Sequence, residues 1–236
     1  MRNMKVDIWS DVRCPFCYIG KRKFEKGLES FAQKDKVEVT WKSFQLDPGL
    51  DPQSSEDIFS YFTRAKGVSR QQAEQMFSNV TQIAKEVGLE FNIPASIVAN
   101  SFNAHRLIQM AKAKGLGSEA EEALFRIHFT GGKDINDHDT LLQTGISIGL
   151  EEKALKEMLG SRAWSSEVRQ DEEAARDLGV SGVPFFVFND KYAVSGAQSP
   201  ETFLQVLEKA WDEFEADKKS LQVTEGQNCS TDGECK

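Results

Sequence analysis

Cysteine is scarce in this chain: the 236 residues include four, and none lies between Cys17 and Cys229. That excludes a disulfide framework spread through a small secreted fold. Cysteines confined to two pairs point to catalysis, redox sensing or metal binding. Histidine is also rare. His105, His128 and His138 share no metal-ligand spacing, and His105 and His128 fall in helical stretches as packed or solvated side chains, so none is assigned a chemical role. No apolar run approaches the roughly 18–20 residues that span a bilayer, so no membrane partner is expected. Positive charge is not in excess either. With 29 Lys+Arg against 37 Asp+Glu the net charge is −8, which argues against nucleic acid as the main partner, since phosphate binding needs a concentrated basic surface. The first residues, Met1-Arg2-Asn3-Met4-Lys5, have no apolar h-region and no small-residue cleavage site. The expectation is a globular cytoplasmic protein of one large domain, or a core plus an insert.

The richest stretch is Cys14-Pro15-Phe16-Cys17, placed just after the apolar run Val6-Asp7-Ile8-Trp9. A C-x-x-C at a strand-to-helix junction reads as a redox-active dithiol, because its spacing is close to one helical turn and lets a disulfide close and reopen. With Cys14 as helix cap, unpaired backbone N–H groups and the positive end of the dipole favour its thiolate. Pro15 then takes the first helical position, where its missing N–H costs nothing. Phe24, Leu28 and Phe31 give that helix a buried face. Zinc is the competing reading, since C-x-x-C is also half of a zinc ribbon. Pro15, the lack of a second C-x-x-C or His pair, and the flanking strand and helix all favour the dithiol, and no metal site is assigned. Arg13, Lys21, Arg22 and Lys23 form a basic cluster around it. They read as a solvated helix face, or Arg13 helps to hold thiolate charge.

Along the chain, Val37-Glu38-Val39-Thr40-Trp41 alternates as a second strand, closing a β-α-β unit over residues 4–46, and residues 47–52 are a loop. Residues 55–178 have helical periodicity. Stripes are marked by Phe102, Leu107, Ile108 and Ala111; by Leu124, Ile127 and His128; by Leu141, Leu142, Ile146 and Ile148; by Leu155, Met158 and Leu159; and by Trp164, Val168 and Ala175. Phe185-Phe186-Val187-Phe188 is a strand, Asn189-Asp190 a turn, and Tyr192-Ala193-Val194 the returning strand. Ser199-Pro200 opens a last amphipathic helix carrying Phe203, Val206, Leu207, Ala210, Trp211 and Phe214. The order is that of an α/β thioredoxin fold, β-α-β … β-β-α, interrupted by an inserted all-helical domain. Residues 1–54 and 179–217 form the discontinuous core domain, 55–178 the insert, and 218–236 a flexible tail.

In a thioredoxin fold, the place held here by Pro184 belongs to a cis-proline packed beside the dithiol. Val183–Pro184 is therefore expected to be cis, against an ordinary trans proline at a strand start. Val183 would then offer its backbone to a substrate strand, and Gly182 would allow that strand to approach closely.

Residues 10–20, from Ser10 through the dithiol to Gly20, and residues 179–188, from Gly179 through Pro184 to Phe188, carry a resemblance. The chain resembles the DsbA family of thiol–disulfide oxidoreductases, most closely its FrnE-like cytoplasmic branch, over residues 4–215. The resemblance implies protein disulfide or dithiol substrates, no bound cofactor, and glutathione or a thioredoxin system as redox partner. Strongly oxidising members have histidine before the second cysteine. Phe16 stands there instead and cannot donate a hydrogen bond to a thiolate, so a weaker oxidant is expected, with isomerase or reductase work more plausible than forceful oxidation. By thiol chemistry Cys14, at the exposed helix end, attacks, and the more buried Cys17 resolves the mixed disulfide.

Cys229 and Cys235 lie in a polar segment with no apolar stripe. They read as a second redox pair that exchanges with Cys14–Cys17 or captures substrate, as incidental surface thiols, or as half of a four-thiolate site suited to zinc or cadmium. Two other function classes remain open beside the oxidoreductase. One is a glutathione-dependent transferase or small-molecule isomerase of the kappa type, which the retention of both Cys14 and Cys17 disfavours. The other is a redox-regulated chaperone or binding module.

Overall fold

The computed structural model describes residues 3–51 and 56–219. Cys229 and Cys235, and the roles expected of them, lie outside the described residues. Strand β1 (Met4–Ser10) buries Met4, Val6 and Ile8 on one face, and helix α1 (Pro15–Glu29) follows it. Strand β2 (Val37–Ser43) pairs parallel to β1, from Met4 opposite Val37 to Ser10 opposite Ser43, with α1 as the crossover that a parallel pair requires. The insertion comprises α2 (Ile58–Lys66), α3 (Arg70–Glu86), α4 (Phe102–Lys112), α5 (Gly117–Phe129), α6 (His138–Ser147), α7 (Glu152–Leu159) and α8 (Ser165–Asp177). The chain then returns as β3 (Phe185–Phe188), β4 (Tyr192–Ser195) and α9 (Pro200–Lys219).

The sheet order is β2-β1-β3-β4, with β3 antiparallel to both β1 and β4. β1 is therefore an inner strand, and its C-terminal end delivers the chain directly into the dithiol. At the hairpin between β3 and β4, Asn189 and Asp190 take left-handed φ angles of 50° and 56°. These short polar residues tolerate that region better than most, and both-positive φ matches the twist of paired strands.

The insertion does not own a separate core. One apolar cluster joins Ile8, Ile19 and Phe24 of the sheet and first helix to Leu107, Leu124 and Phe125 of the insertion and Phe203 of α9. Tyr18 of α1 stacks on Phe125 of α5 with ring centroids 4.8 Å apart, joining the two regions. The early insertion helices, which the stripes above did not mark individually, have clear starts. Asp57 caps α2, and Ser69 with Gln72 forms a reciprocal capping box on α3.

Three expectations need adjustment. α1 ends at Glu29, so Phe31 lies beyond the helix, although it is still buried, edge-on to Trp211 at 6.0 Å. α9 continues to Lys219, past the boundary expected at 217. The basic cluster is not a freely solvated face: Lys21 is buried and paired with Glu25 and Glu122, Arg22 pairs with the same two carboxylates, and Lys23 donates to the Ala197 carbonyl.

Candidate active site

Cys14 is the N-cap of α1, with extended backbone (φ −90°, ψ 111°), and Pro15 takes the first helical turn. The Cys14 N–H donates to the Asp11 carbonyl at 2.9 Å, closing the turn that leaves β1. Both cysteines are free thiols. Cys14 is 5% exposed and Cys17 1%, so Cys14 is not the exposed thiol expected of a helix end. Its thiol instead turns inward, towards the Val183 carbonyl.

The second motif meets the first here. The Cys14 thiol donates to the Val183 carbonyl at 3.4 Å, and the Val183–Pro184 peptide is cis. The Pro184 carbonyl accepts from Gly196 N–H at 2.8 Å. Its ring sits on α1 over Gly20, where an added Cβ would come within 2.9 Å of Pro184 Cγ. Around Gly182 the space is open, with nothing within 4 Å of an added Cβ.

Beneath the dithiol lies a layer of buried polar groups. Asp11 is fully buried and accepts from the N–H groups of Arg13 (3.1 Å) and Leu46 (2.8 Å), fastening the dithiol turn to the loop after β2. His105 of α4 places Nε2 3.5 Å from Asp11 Oδ1, an ion-pair contact too long to be a good hydrogen bond. Burial alone would raise the Asp11 pKa, but the His105 imidazole, the Leu46 N–H and Arg13 hold it below the usual carboxylate range. Burial opposes charge on His105 in turn, and Asp11 outweighs it, so the His105 pKa is raised. Ser10 Oγ donates to Glu121 Oε1 of α5. Burial lifts Glu121 to about 7 against the opposing pull of the Ser10 hydroxyl, His105 and Lys21. Burial and the neighbouring Cys14 thiol push Cys17 well above the ordinary thiol value.

In front of Cys14 opens a cavity of about 440 Å³, enclosed by the start of α1, the loop after β2, and helices α2, α3 and α5. Its lining is mainly apolar. Phe16, Leu46, Met76 and Ile97, four of the large apolar side chains that remain exposed, all face it. Arg13 also lines it and lays its guanidinium over the Tyr61 ring, 5.0 Å from the centroid. At the wall is His128, which burial and the nearby Arg13 depress to about 4, so it is neutral near pH 7. Among the described residues no three His, Cys, Asp or Glu side chains are grouped to hold a metal ion, and no helix is long and apolar enough to cross a membrane.

The structure thus brings Arg13, Cys14, Pro15, Phe16, Cys17, Gly182, Val183 and Pro184 to one place. The sequence reading missed Ser10, Asp11, His105, Glu121 and His128. A signal for Glu121 was present: it falls on the same face of α5 as Leu124, Phe125 and His128, and a carboxylate in an otherwise apolar stripe is unusual.

Comparison with known proteins agrees with this geometry. The family model of the DSBA-like thioredoxin domain matches residues 5–208. A probable DsbA oxidoreductase of Streptomyces coelicolor is 36% identical, with a TM-score of 0.89 over 99% of each chain. The uncharacterized protein YwbO of Bacillus subtilis is 27% identical over 86% of this chain and 94% of its own. A 2-hydroxychromene-2-carboxylate isomerase has a TM-score of 0.64 over 93% of this chain and 100% of its own, and at 17% identity that likeness concerns the fold alone. The family match over most of the chain and the 36% identity to a DsbA oxidoreductase together establish that this chain belongs to the DSBA-like thioredoxin domain family of thiol–disulfide oxidoreductases.

Proposed function

We propose that the protein exchanges disulfides with protein substrates through Cys14 and Cys17, in the manner of a cytoplasmic, FrnE-like member, with no bound cofactor. The observation that carries this reading is the contact of the Cys14 thiol with the Val183 carbonyl at the mouth of an apolar cavity. Cys14 attacks a substrate disulfide, or is attacked as part of one, and a mixed disulfide forms. Cys17 then attacks Cys14, the Cys14–substrate bond breaks, and the substrate thiolate leaves. The backbone beside Val183 pairs with the substrate main chain, which reads shape and not sequence. The cavity receives a large apolar side chain next to the substrate cysteine, and Gly182 leaves room for the passing strand. Glutathione or a thioredoxin system resets the pair. Phe16, facing the cavity, offers no hydrogen bond to a thiolate, which fits a mild redox pair suited to reduction or isomerisation.

The test is a glutathione redox titration quenched by alkylation, with all four cysteines mapped by mass spectrometry. Reversible Cys14–Cys17 closure is expected, together with loss of exchange in Cys14→Ser and an accumulated mixed disulfide in Cys17→Ser. A titration in which Cys14 and Cys17 never pair contradicts the reading. The enclosed apolar cavity favours one alternative, a glutathione-dependent isomerase or transferase acting on a small apolar molecule. Turnover of such a substrate that survives Cys17→Ser identifies that case.

A further inference from the structure

Two polar atoms in the wall of the cavity in front of Cys14 have no hydrogen-bond partner among the described residues: Ser96 Oγ and His128 Nδ1. Both side chains are buried, Ser96 at 6% exposure and His128 at 3%. A buried polar atom is costly to leave unpaired, so two of them in one apolar wall call for an explanation. Neighbouring polar groups of the same wall serve one another. The Tyr61 hydroxyl donates to Asp47 Oδ2 at 2.9 Å, and the Arg13 guanidinium lies over the Tyr61 ring.

Ser96 and His128 reach the cavity from two segments that the fold ties together. Ser96 follows the short turn Ile93–Ala95, and His128 lies in the last turn of α5. The Asn92 N–H donates to the Phe129 carbonyl at 2.7 Å, and an added Cβ at Gly132 would come within 2.8 Å of the Ala95 carbonyl. Around them the wall is apolar and ring-rich, with Phe62, Phe77 and Phe129. A volume of about 440 Å³, an apolar lining and a few polar groups that fix orientation are the make-up of a ligand pocket. Such a pocket fits a flat apolar body with a polar tip. Phenylalanine has no polar tip, and the indole N–H of tryptophan only donates. The tyrosine hydroxyl both donates and accepts, so it can serve an imidazole nitrogen and a hydroxyl at once. His128 is neutral near pH 7, so this pairing buries no charge.

Resting on the dithiol reading above, we propose that the cavity is a pocket for a tyrosine side chain beside the substrate cysteine, with the phenolic hydroxyl held by Ser96 and His128. Main-chain pairing next to Val183 reads no sequence, and a purely apolar cavity reads only size. Two unpaired polar atoms in its wall make it read a hydroxyl as well. Ser96 and His128 touch the tyrosine and not the reacting sulfur, so they set specificity and take no part in the exchange of thiols.

The test has two arms, both on the full, reduced chain carrying Cys229→Ser and Cys235→Ser. The first needs no thiol chemistry. p-Cresol, the tyrosine side chain as a free molecule, is titrated in while the histidine ring nitrogens are followed by NMR. It is expected to shift one imidazole, whose signal is absent from His128→Phe, whereas toluene leaves the Nδ1 of that ring unshifted. In the second arm, short peptides carry tyrosine, phenylalanine or tryptophan beside a cysteine that is disulfide-linked to thionitrobenzoate, in both orders. Cys14 attacks the peptide sulfur, the disulfide breaks and the coloured thiolate leaves. Each kcat/KM is divided by the rate of the same peptide with dithiothreitol. The tyrosine peptide is expected to lead the phenylalanine peptide by about 10-fold, the scale of one net hydrogen bond, with tryptophan between them. Ser96→Ala and His128→Phe should each bring the tyrosine-to-phenylalanine ratio to within about twofold of one. A variant that slows both peptides equally and keeps the ratio overturns the proposal, as does a parental ratio of one in both orders or an imidazole that p-cresol does not shift. If His128→Phe does not fold, Ser96→Ala decides by the same ratio. A chain that releases no thiolate from any peptide fails the dithiol reading, and this inference with it. Normal release without a tyrosine preference fails this inference alone.

Discussion

The thioredoxin-type core and the helical insertion reach the same dithiol, but they contribute different kinds of groups. The core supplies the two thiols and the backbone beside them: Cys14 and Cys17 at the start of α1, and Val183 and Pro184 ahead of β3. The insertion supplies the surroundings, with Glu121 and His105 below the thiols and Met76, Ile97 and His128 around the cavity. The two thiols and the Val183 carbonyl are set by a helix turn and a loop. The buried charges and the cavity wall around them come from helices distant in sequence.

That division is sharpest if the two regions fold as one unit. Phe125 is fully buried in α5 and stacks on Tyr18 of α1. Phe125→Ala should destabilise the whole chain by about 3–5 kcal/mol through lost burial and the cavity left behind. Urea unfolding followed by near-UV and far-UV signals should still show one coincident transition. Two separated transitions would mean that the insertion melts alone and that the continuous core overstates the coupling.

Next in size is an effect of pH. The folded pKa of Glu121, about 7, lies above its unfolded value. Its contribution is fully present below the unfolded pKa of about 4.3 and is lost as pH rises through the folded one, a loss of up to about 3 kcal/mol by pH 8. Glu121→Gln should therefore gain stability on the parent as pH rises from 4 to 8, measured by urea unfolding at each end. A constant difference between the two proteins would show that this carboxyl is not held neutral by burial. Asp11 and His105 act at other limits. The Asp11 share is lost as pH falls through its lowered pKa, and the His105 share as pH rises through its raised one.

Specificity should respond to the insertion while the chemistry responds to the core. Ile97→Asp puts a charge at the rim of the cavity. It should raise KM for peptides with a large apolar residue beside the cysteine by roughly 10-fold, equivalent to about 1.4 kcal/mol, and leave kcat for glutathione disulfide unchanged. An equal loss on both substrates would assign the cavity to general structure. The smallest effect belongs to the Glu122 ion pairs that tie α5 to α1. Burial opposes charge on Glu122, but Arg22, Lys21 and Tyr18 hold its pKa down at about 2. Its side chain is 32% exposed, so solvent screening limits Glu122→Gln to about 1 kcal/mol, fully seen above pH 5 and lost as pH falls towards the folded pKa of about 2.

What could be read from the sequence follows the same line. The order of elements along the chain, the dithiol at a helix start and the Val183–Pro184 element were visible because each is written in consecutive residues whose backbone demands are local. Ser10 and Asp11 stood beside the motif in plain view. Their roles depend on Glu121, His105 and Leu46, which only tertiary packing brings near. The α5 stripe was drawn through Leu124, Ile127 and His128, whereas the fully buried face runs through Ala120, Glu121, Leu124, Phe125 and His128. A stripe drawn one position off hides an acid on its inner face. The burial of Cys14 escaped for a related reason, since helix-cap geometry does not say that the thiol will lie against the carbonyl of a residue as distant as Val183.

The contact between Gly20 and Pro184 ties together two positions far apart in the chain. Any side chain at position 20 would press on the proline ring, with an added Cβ only 2.9 Å from Cγ. A lineage that acquires alanine at position 20 can keep its helix but must shift the loop that carries Val183, and with it the carbonyl facing the Cys14 thiol. A chimera that takes its first helix and its third strand from different parents would therefore have to match these two positions to keep that carbonyl in place.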